Sequence, residues 1–178
     1  MTNRQIIAAV RSEEDFASAL ESRVGMIFHL APNIETLKEQ AERTHKAGKK
    51  LFIHLDLAEG IGKDEAGVKF VGDQGVDGII STRSGIIKMA KNRGVFTIQR
   101  FFIVDSQSVE TTVQSAKNSK ADMIEIMPGT VNKIISYLKE KVGVPVVAGG
   151  LIETREEAEN AVKNGATAVS TGRKELWG

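Results

Sequence analysis

Apolar and polar positions run along this chain in two alternating rhythms. Short runs rich in β-branched and aliphatic residues cover 6–10, 25–30, 51–55, 78–81, 95–103, 123–127, 144–148 and 168–170, each of strand length. Between them apolar residues recur at spacings of three and four: Phe16, Ala19 and Leu20; Ile34, Leu37 and Ala41; Ile134, Ile135 and Leu138. That spacing lays one apolar stripe along a helix. Boundary signals agree with the alternation. Thr154-Arg155-Glu156-Glu157 fits a capping box, and Asp105 and Asn33 have the short polar side chains that cap helix N-termini. Gly48, Gly75, Gly94 and Gly165 stand where helices must end.

Eight strand–helix units without a linker or low-complexity stretch predict one compact α/β domain over residues 1–178, a (β/α)8 TIM-type barrel. Such barrels usually take about 200–250 residues, so the loops here must be minimal, with room for one degenerate helix. An open doubly wound sheet is the competing architecture. It has no use for an eighth strand, and Ala9-Val10-Arg11-Ser12 stands where a dinucleotide fold would place its glycine-rich turn.

Two strand ends are stripped of side chains, at Ala148-Gly149-Gly150 and at Ser170-Thr171-Gly172. Bare backbone there brings N–H groups close to an anion, and the loops after strands seven and eight are where barrels commonly hold phosphate. The plainer reading is a pair of tight turns. Strand parity turns Phe52, His54 and Asp56 inward on the third strand and Glu125 inward on the sixth. A buried carboxylate needs a partner, and Arg100 and Lys63 are the cations on offer. The parity of the fifth strand leaves open whether Gln99 or Arg100 faces inward. His54 reads as a packed core histidine rather than a base, and His29 and His45 carry no special role. The three histidines show no metal-binding spacing, so no metal or cofactor is expected.

Composition narrows the setting. There is no cysteine, hence neither a disulfide framework nor a thiolate site. No apolar run is long enough for a membrane helix, and the N-terminus has no signal-peptide core, so a cytoplasmic protein with no membrane partner is expected. Lys+Arg of 24 against Asp+Glu of 23 excludes nucleic-acid binding by bulk charge. Locally the balance breaks. No acid lies between Asp77 and Asp105, while Arg83, Lys88, Lys91, Arg93 and Arg100 all do. This is either a basic helix paired with acidic neighbours or an anion- or RNA-facing patch.

These segments also carry a resemblance. His54-Leu55-Asp56-Leu57-Ala58-Glu59-Gly60, Gly78-Ile79-Ile80-Ser81-Thr82-Arg83-Ser84 and Gln99-Arg100-Phe101-Phe102-Ile103-Val104-Asp105-Ser106 resemble the glycerol uptake operon antiterminator family. Glu125-Ile126-Met127-Pro128-Gly129, Ala148-Gly149-Gly150-Leu151-Ile152 and the ending Ser170-Thr171 to Leu176-Trp177 continue the match. One departure is Gly172-Arg173, where a small polar pair is expected. The resemblance implies a barrel that binds glycerol 3-phosphate as effector and acts on leader mRNA of glycerol-utilisation operons, preventing premature termination. It implies phosphate contacts from Gly149, Gly150, Ser170 and Thr171, with Gly172 beside them. From the predicted mouth, Asp56, Glu125 and either Arg100 or Lys63 would read the glycerol hydroxyls or close the site. Arg83, Lys88, Lys91 and Arg93 are the candidates for RNA backbone contact, and a homo-oligomer would extend that basic surface. The competing class is a small barrel enzyme, an isomerase, aldolase or synthase, acting on a phosphorylated small molecule. No lysine ends a predicted strand, so Schiff-base chemistry lacks its nucleophile. Asp56 with Glu125 remains available as an acid–base pair. A third class is a metabolite sensor whose partner is a protein.

Overall fold

The computed structural model describes Thr2 and residues 5–178. Eight parallel strands, β1 (Ile6–Val10), β2 (Met26–His29), β3 (Lys50–His54), β4 (Gly78–Ser81), β5 (Phe96–Phe102), β6 (Met123–Met127), β7 (Val146–Gly149) and β8 (Ala168–Thr171), close in sequence order into a (β/α)8 barrel. Ile7 pairs with Ser170 where β8 meets β1. Closure leaves no unpaired sheet edge. Seven helices cover the barrel: α1 (Glu13–Glu21), α2 (Leu37–Lys46), α3 (Glu65–Asp73), α4 (Ser84–Asn92), α5 (Ser106–Ser119), α6 (Asn132–Val142) and α7 (Arg155–Lys163). After β8 the helix is reduced to one 3-10 turn, Lys174–Leu176, which is how a chain this short completes the fold.

Two apolar layers result from the strand alternation. Ile7, Phe28, Phe52, Ile80, Ile98 and Val147 fill the barrel interior, with Phe28 and Phe52 packed edge to face at 5.7 Å. Leu51, Ile53, Ile79, Ile124 and Val169 face the other way, against the helices. Local signals set the boundaries. Ser12 and Asp64 accept from N–H groups of the first turns of α1 and α3. Asp105 with Ser108 and Thr154 with Glu157 form capping boxes on α5 and α7. Gly48, Gly75, Gly94 and Gly165 take positive φ after α2, α3, α4 and α7. Asn33 departs from expectation. Its Oδ1 accepts from Glu35 N–H and its carbonyl from Thr36 and Leu37, so it organises the turn before α2, while Thr36 holds the cap position.

Where an eighth helix would pack, Trp177 is almost wholly buried. Its indole N–H donates to Thr171 O at 2.9 Å, and its own carbonyl accepts from Arg23 N–H at 3.2 Å. Trp177→Ala removes both a large apolar filling and that bond. We expect a loss of about 3–5 kcal/mol, with Trp177→Phe losing less, measured by urea denaturation followed by circular dichroism.

Candidate functional site

The C-terminal mouth of the barrel is built from short strand ends. Parity places His54, Arg100, Glu125, Gly149 and Ser170 on the inner wall above the apolar layer, because Phe52, Ile98, Val147 and Ala168 below them point inward. This settles β5. Arg100 faces in, and Gln99 faces out to donate to Ser84 and Ser115 Oγ at 3.0 and 3.2 Å.

Glu125 is the hub. It has no accessible surface, and it accepts from Arg100 Nε at 2.6 Å and from Ser170 Oγ at 2.5 Å. A Cβ on Gly149 would sit 2.5 Å from both Glu125 Oε1 and Ser170 Oγ, so glycine is required there by close approach rather than by its turn. Fully enclosed charge of this kind is tolerated because it is paired and hydrogen-bonded. The satisfaction is incomplete, however. Arg100 Nη2 and His54 Nδ1 are buried and take no partner, although buried polar groups are ordinarily bonded. Burial, reinforced by the Arg100 charge, pushes His54 down to about 4, so the ring is neutral at ordinary pH.

Above this layer opens a cavity of about 350 Å³, bordered by Arg11, Gly150, Leu151, Ser170, Thr171 and Gly172. Gly150 and Leu151 both take left-handed φ, +71° and +57°. The second is uncommon for a residue with a side chain, and that side chain points to solvent. The N–H groups of Gly150, Leu151 and Gly172 meet no protein acceptor among the described residues. Gly129 N–H donates to Gly150 O at 3.0 Å, and a Cβ on Gly129 would strike the Ala148–Gly149 peptide, so the turn after β6 props the turn after β7. Thr171 Oγ1 donates to Ile152 O at 2.7 Å and accepts from Arg173 N–H. The Arg173 side chain reaches Glu153 at 2.7 Å, strapping the last two loops together. That gives the departure at Gly172-Arg173 a structural role.

The remaining expected residues lie elsewhere on the rim. The parity that turns Phe52 and His54 inward stops at His54, because Leu55–Leu57 coil into a 3-10 turn. Asp56 therefore meets β4 and its turn: Oδ1 accepts from Ser81 Oγ at 2.7 Å, and Oδ2 from Thr82 N–H and Oγ1 at 2.7 and 2.8 Å. Burial raises its pKa, but the Thr82 N–H and the two hydroxyls outweigh that and hold the carboxyl below its usual value. Lys63 folds back on its own loop, donating to Ala58 O and to Ile61 O. In the basic stretch, Lys91 binds Asp122 at 2.6 Å, Arg93 binds Glu65 at 3.1 Å, and Arg83 lies 3.9 Å from Asp56. Arg83 and Arg93 flank opposite ends of α4, about 15 Å apart at 1.5 Å per residue. Among the described residues no three His, Cys, Asp or Glu side chains come together as metal ligands, and no helix is long and apolar enough to cross a membrane. Arg11 escapes sequence reasoning as a site residue, and the Gly129 turn, although it ends a segment that carries the resemblance, gives no sign in sequence that it props the turn after β7.

Comparison with known proteins decides the family. Residues 6–177 match the model of the glycerol-3-phosphate responsive antiterminators. The chain belongs to that family. The Escherichia coli (strain K12) protein YgcP is 38% identical over 173 residues, 97% of this chain and 91% of that one. Two solved structures share the whole antiterminator architecture. One is a glycerol uptake operon antiterminator regulatory protein from Listeria monocytogenes, with TM-score 0.92, 34% identity, and 99% and 96% of the two chains covered. The other is a glycerol uptake operon antiterminator-related protein from Thermotoga maritima, with TM-score 0.87, 31% identity and 98% of each chain covered. Aldolases at 17% identity or less share the barrel fold alone.

Two buried histidines lead us to expect that this family member loses stability in acid. Burial pushes His29 and His54 down to about 4 from the ordinary 6.5. Between those values the unfolded chain binds up to two protons that the folded chain refuses, so stability falls as pH drops through that window. We expect the urea midpoint to fall steadily from pH 7 to pH 5. His54→Asn should remove about half of that slope; a midpoint that stays flat would contradict the assignment.

Proposed function

We propose that this antiterminator-family protein is an effector-controlled regulator rather than an enzyme. Glycerol 3-phosphate binds in the barrel mouth, and the bound form acts on leader mRNA of glycerol-utilisation operons. The observation that carries the reading is the set of N–H groups at Gly150, Leu151 and Gly172, unpaired among the described residues, on three residues that line one cavity where β7 and β8 end. Backbone donors in strand-end loops suit a phosphate dianion. Ser170 and Thr171 border the same cavity.

Below the phosphate, Arg100 supplies donors with no acceptor of their own, suited to a hydroxyl oxygen. Glu125 acts from beneath, holding Arg100 and Ser170 in place. Asp56 fixes the turn after β4 and with it the position of Arg83. Lys63 stiffens the loop after β3, a part in closing the mouth rather than in reading the ligand. Among the described residues no lysine nucleophile stands at a strand's C-terminal end: the one strand lysine, Lys50, opens β3 at the opposite end. This supports regulation over Schiff-base enzymology.

On the RNA side, Arg83 and Lys88 are the cations of the basic stretch least engaged by acids, whereas Lys91 and Arg93 would have to exchange carboxylates for phosphates. Effector and RNA are coupled only if each binds one conformation better than the other.

Calorimetric titration with glycerol 3-phosphate, with glycerol and inorganic phosphate as controls and an assay for products, tests the site. Saturable binding that needs both halves of the ligand, without turnover, is expected. Ser170→Ala and Glu125→Gln should weaken it about tenfold or more, and Asp56→Asn should also weaken it. Conversion of the ligand to a new compound would overturn the regulatory reading. Gel shift of leader RNA at zero and saturating ligand tests the coupling, and equal affinities would refute it.

A further inference from the structure

A second cleft lies outside the barrel wall, between α1 and α2 above the end of β2. Its volume is about 420 Å³, larger than that of the mouth, and Arg11 borders both. Two polar side chains in its lining are more than nine-tenths buried: Gln40 and His29. Gln40 Nε2 donates to Glu13 Oε2 at 3.2 Å. A carboxylate only accepts, so that contact fixes the amide's orientation. Gln40 Oε1 is then a buried acceptor with no partner. His29 Nδ1 accepts from Ala31 N–H at 3.3 Å, which puts the proton of the neutral ring on Nε2. No protein acceptor among the described residues takes that Nε2 proton.

The charges in the cleft cancel internally. Arg43 binds Glu13 at 2.6 Å and Glu39 at 3.6 Å, and its guanidinium lies over the Phe16 ring. A simple ion finds no net field there. The lining of the cleft holds one enclosed unmet acceptor, one unmet donor, and Arg11 at the mouth, which has no carboxylate partner among the described residues. That set fits a planar, uncharged ring with a donor–acceptor edge, joined to an anionic group.

We propose that the α1–α2 cleft binds one nucleotide, its base edge read by Gln40 and His29 and its phosphate held by Arg11. The nucleotide is either free or a residue of single-stranded RNA, whose bases are open to this kind of edge recognition. The proposal shares Arg11 with the border of the effector cavity but uses no other residue of it, and either can fail alone.

The test titrates the full chain with AMP, GMP, CMP and UMP, and separately with a short single-stranded RNA, by saturation-transfer NMR and calorimetry. Gln40→Leu removes the orphan acceptor, and Thr36→Trp fills the cleft from its exposed rim. Circular dichroism and cooperative urea unfolding show that both variants remain folded. We expect saturable binding by the wild type, weakened about tenfold or more by Gln40→Leu and abolished by Thr36→Trp. A mononucleotide bound as tightly as the oligonucleotide identifies the free nucleotide as ligand. Binding by the oligonucleotide alone, lost in both variants, identifies RNA. No binding by any of these probes, or equal binding by wild type and both variants, overturns the proposal.

Discussion

The mouth of this barrel is organised by one buried carboxylate. Glu125 accepts from Arg100 on β5 and from Ser170 on β8, with Gly149 of β7 pressed against it. Four consecutive strands, β5 to β8, thereby meet at one side chain in the interior. An ion pair so enclosed is a poor source of net stability, since desolvation consumes most of the attraction. Its value lies in geometry: it fixes which way Arg100 points and where the Ser170 hydroxyl sits. Substitution at any one of these positions leaves a buried charge or a steric conflict behind, so they behave as a unit.

Around that unit the loops are propped by short polar and backbone bonds. The Gly129 turn supports Gly150, Thr171 binds the Ile152 carbonyl, and Arg173 reaches Glu153. The turns after β7 and β8 are thus held in a shape whose N–H groups at Gly150, Leu151 and Gly172 meet no acceptor among the described residues. On the opposite side of the rim, Asp56 performs the matching task for the turn after β4. The carboxylates of the mouth hold the structure, and the cations and backbone N–H groups are what they present.

Much of the fold was legible in the sequence, because both rhythms of apolar positions are strict and the caps are strong. All eight strands fall within two residues of where periodicity puts them, and the glycine stops end their helices. Less of the site was legible, for local reasons. Gln99 and Arg100 are both polar and adjacent, so parity could not choose until the interior layer of Ile98 was seen. Asp56 lies two residues beyond a strand that coils sooner than a run of Leu and Ile suggests. The acid-free stretch looked uniformly basic because its partners, Glu65 and Asp122, lie outside it in sequence yet beside it in space. The orphaned atoms of Arg100, His54 and Gln40 are properties of packing alone, and no spacing rule exposes them.

The ring of helices is incomplete at one place, and the incompleteness lies directly behind these turns. Thr171 ends β8, Trp177 caps its carbonyl, and Trp177 in turn receives the N–H of Arg23 just past α1. Lys174 reaches back to Glu14 and Asp15 at the start of the same helix. Each of the other seven strands is followed by a full covering helix; here the cover is one side chain and one turn. The barrel therefore has a thin wall, and it is on this flank that a small adjustment of the turns needs to travel least to alter the surface another molecule would meet.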